Sequence, residues 1–140
     1  GEALRRDLST HLDALAALRD QIALRAPQVP EAYRERLTAR LAELPVAPVE
    51  PQRLAQEVAI FADKAAIDEE LSRLQSHIAQ MRACLNEAGE MGRRLDFLTQ
   101  EMNREVNTIG SKASDVEITN CVVAAKSEIE KLREQVQNVE

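Results

Sequence analysis

Over the first 25 residues, apolar side chains recur at steps of four and three: Leu4, Leu8, Leu12, Leu15, Leu18 and Ile22. That spacing draws one stripe down a long helix, from about residue 2 to residue 25. "APQVPE" interrupts it. Pro30 suits the first turn of a second helix, whose stripe is Tyr33, Leu37, Leu41 and Leu44. In "LPVAPVEP", Pro45, Pro48 and Pro51 remove backbone donors and disfavour helix just before themselves, which predicts an extended connector. No Gly or Pro follows from Gln52 to Ala88. One stripe there is Leu54, Val58, Phe61 and Ala65; a second is Ile67, Leu71, Leu74, Ile78, Met81 and Leu85. The phase slips near Ala65, so the segment is one long helix with a stutter, or two nearly collinear helices.

Gly89 and Gly92 punctuate its end. A polar helix follows from about Arg93 to Thr108, with Gly110 placed to terminate it in the left-handed conformation. Ser114 and Glu117 have the S-x-x-E spacing of a capping box. They predict a last helix carrying Ile118, Val122, Ala125, Ile129, Leu132, Val136 and Val139 at heptad spacing. The expectation is an all-α protein of long amphipathic helices packed as helical hairpins or a bundle. Its division is a helical hairpin with a Pro-rich connector over 1–50 and a second helical domain over 51–140.

Composition narrows this picture. The 44% hydrophobic content is mostly Leu, Ala, Val and Ile, with two Phe, one Tyr and no Trp, so the core is a set of helix–helix seams. A net charge of −6 removes any bulk basic field; contact with nucleic acid has to be local. No signal peptide and no apolar run near eighteen residues is present, which predicts a soluble protein without membrane contact. "GEALRRDL" reads as mid-helix without an initiator Met, and the expectation is a fragment of something longer. Cys84 and Cys121 make neither a disulfide framework nor a zinc motif; two reduced thiols are expected.

The chemistry concentrates in "GRRLDFLTQEMNREVNTIGSK", residues 92 to 112. On a helical wheel Leu95, Leu98, Met102, Val106 and Ile109 gather on one side. Arg93, Phe97, Gln100, Arg104 and Asn107 stand opposite. A phenyl ring between two arginines suits stacking on a base with phosphate held beside it, or contact with another subunit. Glu101 and Glu105, i,i+4 neighbours, repel unless paired with arginine or sharing a hard cation. Asp96 and Asn103 lie with Thr99 on the other flank. In the preceding helix Glu70, His77 and Cys84 recur every seven residues beside the apolar seam. Residues seven apart stand roughly 10 Å apart along the axis, so Glu70 and His77 need partners such as Glu101 or Glu105 to hold one metal. His77 also suits acid–base work, or a plain hydrogen bond to a neighbour. His11 has no constellation around it in the sequence. "GSK" lacks the upstream Gly and strand of a phosphate-binding loop, and no Ser-His-Asp or Cys-His order stands out.

"IDEELSRLQSH", "GRRLDFLTQEMNREVNTIGSK" and "KLREQVQNVE" resemble the signature blocks of the YicC/YloC family of bacterial proteins, whose members end in a helical domain. The resemblance runs over essentially the whole chain and is strongest from about Ala65 to Glu140. Positions matching the blocks include Glu69, Glu70, Arg73, His77, Gly92, Arg93, Asp96, Gln100, Glu101, Asn103, Arg104, Glu105, Asn107 and Lys112. The resemblance implies the C-terminal half of a divalent-metal-dependent endoribonuclease, with Mn²⁺ or Mg²⁺, RNA as substrate, and assembly as a homo-oligomer, in particular a hexamer. On that basis His77, Glu101 and Glu105 are expected to carry catalysis. Glu70, Glu101 and Glu105 are expected to hold metal, and Arg73, Arg93, Phe97, Arg104 and Lys112 to contact RNA. Asp96, Gln100, Asn103 and Asn107 are expected to shape the site. The competing expectation is a non-catalytic module for oligomerisation or RNA binding.

Overall fold

The computed structural model describes residues 1–86 and 92–138. Among these residues six α-helices form: α1 (Glu2–Arg25), α2 (Val29–Glu43), α3 (Pro51–Ala65), α4 (Asp68–Leu85), α5 (Gly92–Lys112) and α6 (Val116–Val136), with a 3₁₀ turn (Ala26–Gln28) joining α1 to α2. No strand occurs among the described residues. The fold is all-α, as the helical periods require.

α1, α4, α5 and α6 close a four-helix ring in which α1 packs on α4 and α6, and α5 packs on the same two. Every neighbouring pair is antiparallel. Arg19 reaches the Leu71 carbonyl while Arg82 reaches Asp13; His11 meets Glu128 while Arg25 meets Asp115. The core is the set of stripes expected from sequence: Leu8, Leu12, Leu15 and Ile22; Leu71, Leu74, Ile78 and Met81; Leu95, Leu98, Met102, Val106 and Ile109; Ile118, Val122, Ala125, Ile129, Leu132 and Val136. Val139 and Gly89 lie outside the described residues. Each stripe faces two neighbours, which explains how a chain poor in aromatics still closes a core.

α2 and α3 pair with each other, closed by Tyr33 stacked on Phe61 at 3.9 Å between ring centroids. α2 buries only Val29 and α3 buries no residue fully. Leu44, expected in the α2 stripe, lies beyond the helix in extended backbone and is exposed. The helical hairpin is therefore α2–α3, which spans the expected division at residue 50, while α1 lies in the same bundle as α4–α6.

One open choice is settled and two local features differ from the sequence reading. Of the two alternatives after Gln52, one helix with a stutter or two helices, two helices form, α3 and α4. Ala66 is extended (φ −64, ψ 125), so the phase slip at Ala65 marks a break that sends α3 to α2 and α4 to the bundle. Gly110 does not end α5, which runs on to Lys112. A Cβ on Gly110 would sit 3.1 Å from Val122 Cγ1, so the missing side chain lets α5 approach α6 closely. Among the described non-glycine residues, the one with positive φ is Ser114, at 50°. Asp115, not Ser114, caps α6: its carboxylate accepts the Ile118 N–H at 3.1 Å. Arg25 clamps that carboxylate, Nη2 to Oδ1 at 2.9 Å and Nε to Oδ2 at 3.1 Å, and Glu117 joins from 3.2 Å. An aspartate already anchored by a guanidinium outcompetes the neighbouring serine for the cap.

Candidate cation centre at the α4–α5 seam

α4 and α5 run antiparallel with their polar flanks in register. Lys112 meets Glu70, Arg73 meets Glu105, His77 meets Glu101, and Arg94 meets Gln80. The residues sit at α4 positions 70, 73, 77 and 80, and at α5 positions 94, 101, 105 and 112. Steps of three, four and seven hold each set on one helical face beside the apolar stripe.

At the centre of the seam one ligand atom each from His77, Glu101 and Glu105 lies within 4.8 Å of the others. Glu105 is buried; His77 and Glu101 are half-buried. The His77 Nδ1 is buried and has no hydrogen-bond partner among the described residues. A buried polar atom left unpaired costs free energy, so the ring is short of one partner. Two carboxylates and one imidazole form an N/O donor set. Carboxylate suits Mg²⁺ and Mn²⁺, imidazole suits the transition ions, and the mixed set fits Mn²⁺ well. With three protein donors, an ion held there would keep coordination positions for other ligands. The residues present fit a divalent cation.

The flanking groups are arranged by charge. Arg73 Nε donates to both Glu105 oxygens at 3.1 Å, and its terminal nitrogens stand 3.7 Å from Glu69 and from Glu70. Lys112 Nζ donates to Glu70 at 2.8 Å. Burial pushes the Glu70 carboxyl up; the Lys112 hydrogen bond, its own backbone N–H and the charges of Lys112 and Arg73 outweigh this and hold it below its ordinary pKa. Glu70 sits in the first turn of α4 and Lys112 in the last turn of α5, where the helix dipoles favour their respective charges.

Glu70, expected as a metal ligand, is thus tied to Lys112 and stands apart from the group of three. Arg73 and Lys112, expected to hold phosphate, are paired with carboxylates. Arg93, Phe97 and Arg104 lie on the outer face of α5, all exposed, with Phe97 at 54%. They form a ridge separate from the seam. Gln100 donates to Asp96 at 3.1 Å on the same helix. Asp96 faces α6, where Arg133 is bonded to Glu130 and, more weakly, feels the Asp96 charge. Asn103 is half-buried on the Thr99 flank and Asn107 is exposed. His11, which lacks neighbours in sequence, lies 2.7 Å from Glu128 and 3.6 Å from Asp7. Asp7 stands four residues before it on the same helix, a legible signal; Glu128 comes from α6 and left none. Cys84 and Cys121 are both free thiols. No described helix is long and apolar enough to cross a membrane.

A helical bundle with a histidine and two glutamates converging on one seam defines a helical domain with a candidate cation centre. The chain belongs to the family described as endoribonuclease YicC-like, C-terminal, whose model matches residues 22–140. It is 49% identical over 142 residues to a protein of Clostridioides difficile named "Probable endoribonuclease YicC", covering 100% of this chain and 48% of that protein. A protein of Haemophilus influenzae with the same name is 39% identical over 140 residues, with the same two coverages, 100% and 48%. The chain therefore spans about half the length of the curated relatives it matches.

Proposed function

We propose that this chain is the helical C-terminal domain of a cytoplasmic, divalent-metal-dependent endoribonuclease, and that the α4–α5 seam is its metal centre. The observation that carries the reading is the convergence of His77, Glu101 and Glu105 within 4.8 Å. The relatives' printed name supports RNA cleavage as the activity. His77, Glu101 and Glu105 would hold Mn²⁺ or Mg²⁺. A bound cation supplies polarisation of a phosphoryl oxygen and a more acidic water.

The chain's own residues bind and orient. Glu101 and Glu105, four residues apart on a rigid helix, present their oxygens from one side, and His77 closes from α4. Arg73 and Lys112 supply positive charge at the acidic end of the seam, where the phosphate backbone needs it. Asp96 and Gln100 hold the outer turn of α5 in place. The exposed Arg93–Phe97–Arg104 ridge suits a second RNA contact, or the surface through which copies of the full-length protein assemble.

The test is cleavage of a structured RNA by the full-length protein with Mn²⁺. Glu101→Gln and His77→Ala each lose at least about a hundredfold in rate, a typical loss for a catalytic acid, base or ligand. Retention of the wild-type rate by both variants overturns the site. A protein that binds the RNA in chelator and never cuts it when Mn²⁺ is added is a binding module instead. The product ends separate the chemical routes: a 2′,3′-cyclic phosphate with a 5′-hydroxyl marks attack by the 2′-hydroxyl, and a 5′-phosphate with a 3′-hydroxyl marks attack by water.

A further inference from the structure

Glu105 is buried, and a buried carboxylate requires a positive partner. Arg73 provides it in an unusual way. The guanidinium meets Glu105 through Nε alone, 3.1 Å from each oxygen. Its two terminal nitrogens stand 3.7 Å from Glu69 and Glu70, beyond hydrogen-bond range. Glu70 has its hydrogen bond from Lys112 at 2.8 Å, and Arg73 adds only a longer-range charge. The Nη1/Nη2 fork, the part of arginine that recognises phosphate bidentately, therefore makes no hydrogen bond among the described residues and is held only by the charges of Glu69 and Glu70. The side chain is 49% exposed, so it has solvent to move into.

The same Glu105 is one of the three donors of the candidate centre. A divalent ion held there stands beside a guanidinium that shares its ligand, and like charges repel.

We propose that Arg73 is a stand-in cation: it neutralises Glu105 while no divalent ion is present, yields that carboxylate when one binds, and offers its guanidinium to an RNA phosphate. The inference rests on the metal-centre reading above. It makes Arg73 a link between two binding events. An RNA phosphate that draws Arg73 away relieves its repulsion of the ion, so ion and RNA tighten each other's binding by the same factor.

The experiment measures Mn²⁺ affinity of the 140-residue chain from the paramagnetic resonance of the free ion, in wild type, Arg73→Gln, Arg73→Lys and Glu105→Gln. Folding of each variant is checked by circular dichroism. Arg73→Gln binds Mn²⁺ about tenfold more tightly than wild type, because a repelling charge beside a divalent ion is gone. Arg73→Lys keeps the charge and stays within about threefold of wild type. Glu105→Gln loses the ion. In parallel, Mn²⁺ strengthens wild-type binding to a fluorescent RNA hairpin, and Arg73→Gln loses that response. If wild type and Arg73→Gln both bind no Mn²⁺, the metal-centre reading fails and this inference with it. If wild type binds and Glu105→Gln does not, while Arg73→Gln is unchanged or weaker, the metal centre stands and the stand-in role is overturned. Equal tightening by Arg73→Lys and Arg73→Gln refutes the charge argument. RNA affinity of wild type that ignores Mn²⁺ overturns the link to phosphate.

Discussion

Asp115 offers the sharpest test of how the bundle is held. Its side chain is 2% exposed, caps α6 through the Ile118 N–H, and is clamped by two Arg25 nitrogens. Asp115→Ala removes both functions. The cap contributes about 1 kcal/mol, and hydrogen bonds to a charged group contribute about 1.5–3 kcal/mol. The expected loss is about 3 kcal/mol, or about 9 °C in Tm for a chain of this size. Asp115→Asn keeps a cap-competent oxygen but sets an amide N–H against the Arg25 donors, and loses about 2 kcal/mol. The carboxyl's pKa is held below its ordinary value, first by the Arg25 hydrogen bond, against burial, and then by the Ile118 N–H. A depressed pKa stabilises the fold above the unfolded value of about 3.9, and that stability is lost as pH falls through the folded value. The gap between wild type and Asp115→Asn is therefore constant from pH 5 upward and closes below about pH 4. Urea titrations followed by helical circular dichroism at pH 7, 4 and 2.5 measure it. Asn equal to wild type at pH 7, or a gap undiminished at pH 2.5, refutes the reasoning.

Other expectations follow from the same geometry. Mn²⁺ at a hundredfold excess over its Kd stabilises the chain by about 2.7 kcal/mol, seen as a rise in Tm of about 8 °C. His77→Ala and Glu105→Gln abolish that rise in a thermal-shift assay. Gly110→Val drives a branched side chain into Val122, whose Cγ1 already lies 3.1 Å from a Cβ at that position. It costs about 1–3 kcal/mol by urea denaturation, as overpacking does. Phe97→Ala removes a ring that is 54% exposed and changes stability by less than about 0.5 kcal/mol; light scattering on the full-length protein reads whether that ring holds copies together.

The stripes were legible because a buried helix face repeats every 3.6 residues, and each bundle helix lies under its stripe. The seam was legible in part. Spacing alone shows that Glu70 and His77 need partners from another helix to hold one ion, and that Glu101 and Glu105 share a flank of α5. The register that brings His77 to Glu101 depends on where two helices settle against each other, and no local pattern encodes it. Contacts at long separation were hidden for the same reason: Arg25 to Asp115, His11 to Glu128, Tyr33 to Phe61. The capping box pointed to Ser114 and missed Asp115, whose anchor is an arginine ninety residues away in sequence. Gly110 was misread because the same absence of a Cβ serves a helix end and a close helix crossing equally well.

Charge along the seam ties the parts together. Between Glu69 and Glu101 it sets four glutamates, 69, 70, 101 and 105, against Arg73 and Lys112. The balance is two negative charges, which one divalent cation cancels. Without it, an RNA backbone approaching an acidic chain of net charge −6 meets repulsion at the very place where cleavage is proposed. With it, the charges of the seam, Arg73 included, would sum to zero, and the Arg73 guanidinium could turn to a phosphate. Glu105, the one buried carboxylate of the three converging residues, would be both a cost to the metal-free seam and a ligand of the cation. Stability of the metal-free domain and affinity for the ion are thus opposed at Glu105. Replacing it with a neutral side chain of similar size is expected to leave the apo fold intact and remove the function, the trade a binding centre makes and a purely structural ion pair does not.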